Sequence, residues 1–248
     1  RRRATGSRSH PTVLLNQKPS ERSTALRTLY LMRHGTTIFN ERNKVQGWGD
    51  SPLSAYGRRQ AAWMGRWFDE HGVSFDHAYC STSGRTAQTL ELATRSSMPY
   101  ARLGGLREFY FGLLEGESGS LVAPDPFGEF LVQFGGESSA RVTERMVATL
   151  TDVMGRDGHE CVLAVSHGSS GFAFYQANER RSDIDLGGHL PPRASAIRYD
   201  FDGEKFFARQ LIVPVDDELD QVELPAESEY VDIVVPTRAR HVAIPARA

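Results

Sequence analysis

Two distant stretches of this chain follow one pattern. Leu29-Tyr30-Leu31-Met32 runs into Arg33-His34-Gly35-Thr36, and Val162-Leu163-Ala164-Val165 runs into Ser166-His167-Gly168-Ser169. Apolar runs this short, closed by a glycine that lets the backbone turn sharply, read as buried parallel strands ending at a histidine. Strands apolar on both faces need helices packed above and below them. In an open sheet of that kind the ligand crevice lies outside the carboxyl ends of the strands. The two imidazoles are therefore expected to face one pocket.

The rest of the chain supports that frame. From Thr28 onward strand and helix signals alternate, so the expected class is α/β: a three-layer α/β/α arrangement with a mostly parallel central sheet and a short lid insertion. Ser54 can cap a helix through Glu70, with Ala61, Met64, Trp67 and Phe68 on one side and His71-Gly72 ending it. Residues 75–80 read as the next strand and 84–94 as a helix. Ser138 or Ser139 caps a long helix whose Val142, Met146, Leu150 and Val153 recur at helical spacing until Asp157-Gly158. Residues 194–199 and 205–213 read as a closing strand pair. Residues 109–136, with five Phe, Tyr110, several glycines and prolines at 124 and 126, are too irregular for the sheet and read as a lid over the crevice.

A chain of 248 residues suffices for one full core, assigned here to residues 28–215. Residues 1–27 hold seven Lys/Arg and one acid without periodicity, and read as a basic disordered arm. A transit peptide or nucleic-acid-binding tail is the sharper reading of that composition; a solvated start is the simpler one. Residues 216–248 hold eight Asp/Glu and three Arg, and read as an unattached acidic tail with an apolar run at 230–235. The middle is left slightly acidic, so any phosphate site must be built from local arginines. Neither nucleic acid nor a membrane is an expected partner; oligomeric state is open. Cys80 closes one strand and Cys161 opens another, which puts the two thiols at opposite ends of a parallel sheet, too far apart for a disulfide. A reducing, cytoplasmic setting is expected.

The residues at strand ends carry the chemistry: Arg33-His34-Gly35-Thr36, Asn40, Gln46-Gly47, Ser81, Arg85, Arg107-Glu108 and Ser166-His167-Gly168. Phosphoryl transfer needs donors for the equatorial oxygens, an in-line nucleophile and an acid for the leaving oxygen. Arg33 and Arg85 can clamp oxygens bidentately. His34 or His167 can attack as a neutral imidazole, and Glu108 is a carboxyl that partial burial would hold protonated. Local pattern alone does not choose between the histidines. A zinc site from His34, His167 and Glu108 competes, but metalloprotease helix spacing and cysteine ligands are absent. A serine nucleophile at Ser166 would want Gly-x-Ser-x-Gly, which the chain lacks there.

Taken in order, these residues resemble the histidine phosphatase superfamily, also called the phosphoglycerate mutase-like family. Its Arg-His-Gly-Thr stands at 33–36, followed by Asn40 and by Gly47-Trp48-Gly49-Asp50-Ser51-Pro52-Leu53-Ser54. Its Ser-x-x-x-x-Arg-x-x-x-Thr element runs from Ser81 through Arg85 to Thr89. Leu106-Arg107-Glu108 with Gly112 and Glu115-Gly116, then Gly136-Glu137-Ser138 and Ser166-His167-Gly168, complete the match. The resemblance implies that His34 becomes phosphohistidine and Glu108 is the general acid and base. It further implies that Arg33, Arg85, His167 (protonated) and Asn40 bind the phosphoryl group, with no metal and no cofactor. Gln46, Gly47 and Arg107 are candidate contacts to a small phosphorylated substrate. Gln46 could equally be a turn-stabilising amide and Arg107 a solvated surface residue.

Three functions fit such a pocket: a phosphomonoester hydrolase, a phosphoglycerate mutase-type transferase, or a non-catalytic phosphate-binding protein. The resemblance implies that mutases carry a longer insertion with several basic residues at the lid. Between Glu108 and Ser138 this chain has no Lys or Arg but has Glu115, Glu117, Asp125, Glu129 and Glu137. An acidic, aromatic lid favours hydrolysis of an ester whose leaving group is uncharged or apolar.

Overall fold

The computed structural model describes residues 26–122 and 128–224. The readings for residues 1–25, for 123–127 within the lid and for the tail beyond 224 lie outside them. In chain order the elements are β1 (Arg27–Arg33), α1 (Ile38–Glu41), α2 (Ala55–Glu70), β2 (His77–Ser81), α3 (Gly84–Ala93), β3 (Ala101–Leu103), α4 (Ser139–Met154), β4 (Cys161–Ser166), α5 (Gly168–Asn178), β5 (Ala196–Phe201), β6 (Phe206–Ile212) and α6 (Asp216–Leu219).

The strands form one sheet in the order β3-β2-β4-β1-β5-β6. The pairings among β3, β2, β4 and β1 are parallel, whereas β5 and β6 run antiparallel. Successive side chains on a strand point to opposite faces. Leu29, Leu31, Val162 and Ala164 accordingly join α4's Val142, Met146 and Leu150 and α5's Phe172 on one face. Tyr30, Met32, Leu163 and Val165 join α2's Trp63, Met64 and Phe68 and α3's Leu90 on the other. The three layers follow from this double burial: the near-continuous apolar runs have no solvated face. Cys80 and Cys161 are both free thiols.

Local signals set the helix ends. Ser54 accepts from the Gly57 N–H at the start of α2, and Ser138 accepts from the Arg141 N–H at the start of α4. Gly72 (φ 63°) lets the chain leave α2 by way of His71. The second strand begins two residues later than its sequence pattern suggested; before it, Asp76 donates its N–H to the Cys161 carbonyl (3.0 Å) and accepts the Glu160 and Cys161 N–H groups through its carboxylate. The closing strands are likewise displaced, since residues 194 and 195 are held against β1 as a turn rather than as ladder. The short β3 and the helix α5 have no counterpart among the sequence expectations. α5 is Gly-Ser-Ser-Gly at its start and buried around most of its circumference, so it lacks the one-sided apolar stripe that signals a surface helix.

The described residues of the glycine-rich segment at 109–136 include short 3-10 turns at Gly112–Leu114, Gly119–Leu121 and Phe130–Phe134. Phe109, Phe111, Leu114 and Leu131 are buried in the same cluster as α4 and α5. These side chains anchor the segment in the core instead of lining the crevice. Residues 216–224, assigned by composition to the tail, pack on α2. Leu219 is buried, Trp63 Nε1 donates to Glu218 (2.7 Å) and Tyr56 OH donates to Asp216 (2.6 Å). Charge composition cannot register such contacts, because their partners lie about 160 residues earlier in the chain. Among the described residues no helix is long and apolar enough to cross a membrane.

Candidate active site

The β1–β4 register pairs Arg33 with Ser166, so the next residues, His34 and His167, sit level at the carboxyl edge. Their rings lie 5.2 Å apart, centroid to centroid, at 69°. Helix α2 packs so closely on the turn after β1 that a Cβ on Gly35 would come within 2.4 Å of the Gly57 carbonyl oxygen. The turn is further tied by Gly35 N–H to Thr89 Oγ1 (3.1 Å) and by Thr36 N–H to Gln60 Oε1 (3.0 Å).

The two histidines have different hydrogen bonds. His34 Nδ1 lies 2.8 Å from the Gly35 carbonyl, which can only accept, so Nδ1 carries the proton and Nε2 keeps its lone pair. His167 has both nitrogens engaged. Arg85 Nη2 can only donate, so His167 Nδ1 accepts (2.9 Å) and its Nε2–H donates to Ser81 Oγ (2.7 Å). Burial first, and then the Arg85 guanidinium, hold both imidazoles well below the ordinary value of 6.5. The protonated second histidine expected from the sequence is therefore corrected. His167 is a neutral link in an Arg85–His167–Ser81 chain.

Arg85 is fully buried. Its Nη1 donates to Gly49 O and Asp50 Oδ1 (3.0 and 2.9 Å), and its Nη2 donates to Gly47 O (2.7 Å) as well as to His167. Only Nε has no partner. Arg33 donates through Nη1 to Pro191 O (2.6 Å), and its Nε too is buried without a partner. Burial, followed by Arg193, pulls the Arg33 guanidinium down to about 10. Only Arg33 therefore keeps more than one edge for a bidentate clamp; Arg85 offers a single N–H. Among the described residues three buried side-chain polar atoms lack partners, and two of them are these guanidinium N–H groups beside His34. Leaving a buried donor unpaired costs about 1–3 kcal/mol, a cost that an anion between the arginines would remove.

Glu108 is buried under the start of α5. Its Oε1 accepts from Phe109 N–H (3.0 Å) and Ser170 N–H (2.8 Å), and its Oε2 accepts from Ser169 N–H (2.9 Å). The expectation of a carboxyl kept protonated by burial omitted these donors. Oε1 has both lone pairs engaged, whereas Oε2, with one N–H bond, still has a second lone pair on which to take a proton. Arg145 of α4 fixes the backbone here, donating to the carbonyls of Gly105, Arg107 and Glu108 (2.9, 2.6 and 2.9 Å) while pairing with Glu137. Nothing in the sequence near Glu108 announces Arg145, which lies 37 residues away.

The remaining candidates divide. Asn40 uses Oδ1 to accept from the Thr37 N–H (3.2 Å), leaving its Nδ2 donors for a ligand. Gln46 accepts from Thr37 Oγ1 (2.7 Å) and donates to Ser51, so both ends of its amide brace the loop. Gly47 contributes the carbonyl that holds Arg85. Arg107 donates to Thr82 Oγ1 and stacks over Trp48 at 4.5 Å, on the rim. Sequence reading gave no role to Glu115, whose carboxylate accepts from the N–H groups of Gly47, Trp48, Gly49 and Phe111. Its place in the Gly-x-x-Glu-Gly segment was the available signal. With Glu115 held by four backbone N–H groups and Glu137 paired with Arg145, two of the five lid acids are bound inside the fold, which corrects the argument that counted all five as free lid charge.

Known proteins resemble this chain in sequence and fold. The sequence model of the histidine phosphatase superfamily (branch 1) matches residues 29–211. The 2,3-bisphosphoglycerate-dependent phosphoglycerate mutase of Mycobacterium leprae is 29% identical over 215 residues, covering 71% of this chain and 87% of its own. The probable phosphoglycerate mutase GpmB of Klebsiella pneumoniae is 35% identical over 156 residues, covering 56% and 69%. Among solved structures, Bacillus stearothermophilus YhfR superposes with a TM-score of 0.62 at 30% identity, covering 73% of this chain and 94% of its own.

Proposed function

Because the chain belongs to the histidine phosphatase superfamily, branch 1, we propose that it hydrolyses a phosphomonoester through a phosphohistidine on His34. The observation that carries this reading is the pair of unpartnered arginine N–H groups beside an imidazole whose free lone pair is on Nε2. A phosphoryl group held between Arg33, Arg85 and Asn40 puts phosphorus in front of that lone pair. His34 Nε2 forms the N–P bond while the ester P–O bond breaks. Glu108 gives the leaving oxygen its proton, which it has taken from the arriving phosphomonoester monoanion. In the second step Glu108 removes a proton from water, the hydroxide attacks phosphorus, and the N–P electron pair returns to Nε2. His167 acts through Arg85, holding that guanidinium in place.

Hydrolysis is favoured over transfer because residues 109–137 contain no Lys or Arg to hold a charged phosphoglycerate acceptor. The test supplies p-nitrophenyl phosphate, and separately 3-phosphoglycerate with and without a bisphosphoglycerate primer, followed by an alkaline quench for phosphohistidine. Hydrolysis without primer with a phosphoenzyme is the expected result. Isomerisation that depends on the primer would replace the reading with a mutase, and no phosphoenzyme with any ester would replace it with a binding protein.

A further inference from the structure

Arg85 takes its pose from a loop. Among the described residues three of its four hydrogen bonds go to residues 47–50: Nη2 donates to Gly47 O (2.7 Å), and Nη1 donates to Gly49 O (3.0 Å) and Asp50 Oδ1 (2.9 Å). The N–H groups of residues 47 to 49 all turn the other way, onto one carboxylate. Glu115 Oε1 accepts from Trp48 N–H (2.8 Å) and Phe111 N–H (3.1 Å), and Oε2 accepts from Gly47 N–H (3.1 Å) and Gly49 N–H (2.9 Å). We infer that Glu115 is a positioning residue for the phosphate site: through this loop the lid carboxylate sets the pose in which Arg85 meets an anion.

One peptide group carries the coupling. The Trp48 N–H and the Gly47 C=O belong to the same trans peptide and therefore point in opposite directions. One end meets the Glu115 carboxylate and the other the Arg85 guanidinium, so negative charge, peptide dipole and positive charge stand in line and each bond polarises the next. Burial lowers the Arg85 guanidinium, and Asp50 first, then Glu108 and Glu115, oppose that shift. The carboxylate is itself fixed. Leu114 beside it is buried, and Gly116 N–H to Val45 O (3.0 Å) and Val45 N–H to Glu117 O (2.8 Å) pair its segment with the residues leading into the loop. Two glycines leave it room: a Cβ at Gly49 would come within 3.0 Å of Oε2, and one at Gly47 would overlap Oε1 and the Phe109 carbonyl. Backbone N–H groups only donate, and these four take up both lone pairs of each oxygen. An amide cannot replace the carboxylate here, because its NH2 would face two donors.

Only the kinetic arm of the test rests on the phosphomonoesterase reading. Calorimetry with inorganic phosphate is run on the wild type, Glu115→Gln, Arg85→Gln and the double variant, with Arg33 still present to hold the anion. Glu115→Gln should weaken phosphate about tenfold when Arg85 is present and less than about twofold when it is absent, because the effect travels through that guanidinium. Glu115→Asp keeps the charge but is one methylene short of the four N–H groups. It should give a smaller loss with the same dependence on Arg85, and it replaces Glu115→Gln if that variant fails to fold. Unchanged affinity in Glu115→Gln overturns the proposal, and so does an equal loss in both backgrounds, which would make Glu115 a support for the lid alone. A wild type that binds no phosphate overturns it too. If Arg85→Gln binds no phosphate, the Arg85 Nε–H proton resonance decides: it should shift in Glu115→Gln, and an unmoved resonance overturns the proposal. In the kinetic arm Glu115→Gln should lower kcat/KM by one common factor for p-nitrophenyl phosphate and glycerol 3-phosphate. A loss concentrated on the alkyl ester would place Glu115 with the acid Glu108 and overturn the proposal. If neither ester is hydrolysed the functional reading fails by itself, and the phosphate measurements still decide the role of Glu115.

Discussion

The ends of β1 and β4 are alike in sequence, level in register and opposite in role. His34 spends one nitrogen on its own Gly35 carbonyl and keeps Nε2 for chemistry, while His167 has Arg85 on one nitrogen and Ser81 on the other. The two glycines differ as well. Gly35 is pressed against the backbone of α2, whereas Gly168 is pressed against a side chain, with a Cβ there falling 2.7 Å from Arg33 Cζ. A shared motif thus places two imidazoles in one pocket, but their neighbours decide which one is free to react.

The largest effect should separate the two histidines outright. His34→Ala is expected to lower turnover of p-nitrophenyl phosphate by at least about 10³-fold and to abolish the trapped phosphoenzyme. His167→Ala should cost about 10²-fold through a loosened Arg85 and still form the phosphoenzyme. Phosphoenzyme in the first variant and none in the second would reverse the comparison. Glu108→Gln comes next, slowing alkyl esters by about 10²-fold or more and p-nitrophenyl phosphate less, because a good leaving group needs less protonation. Equal slowing of both would remove Glu108 from the role of acid.

Glycine substitutions sharpen the contrast at a smaller scale. Gly35→Ala forces a Cβ into the Gly57 carbonyl and should destabilise the fold by about 1–3 kcal/mol, read from denaturant midpoints. Gly168→Ala displaces the flexible Arg33 guanidinium instead, and should weaken inorganic phosphate inhibition about tenfold with little change in midpoint. A stability loss confined to Gly168→Ala would contradict the assignment.

The smallest effect is in pH. Both imidazoles sit well below 6.5, so His34 stays neutral at that pH and kcat/KM should show no half-loss there on its acid limb. Between the lowered native values and 6.5 the unfolded chain binds more protons. The stabilisation is therefore complete above 6.5 and shrinks as pH falls towards the native values. A midpoint that rises on acidification through this window would contradict buried neutral histidines.

Much of this arrangement was legible beforehand, for identifiable reasons. Double-sided apolar runs forced the three layers, and Ser54 and Ser138 marked helix starts because capping is local chemistry. The positions of His34, Arg85, Glu108 and His167 were legible as an ordered set. α5 escaped notice because it is buried nearly all round, and β3 because three residues carry no period. The acids at 115 and 137 were misjudged as surface charge, since a count of residues does not register the backbone N–H groups and the arginine that take them up.

The sequence by itself determined the class of fold, the edge of the sheet at which chemistry occurs and the residue types gathered there. These follow from periodicity, glycine turns and local capping, which act within a few residues. Only the tertiary structure decided the tautomer of each histidine, the two arginine N–H groups left open for an anion and the approach of the 190–195 turn to His34. Apart from the His34 tautomer, which its neighbour Gly35 sets, those depend on donors and acceptors supplied by segments 38 or more residues away, and a hydrogen bond is fixed by distance in space rather than along the chain.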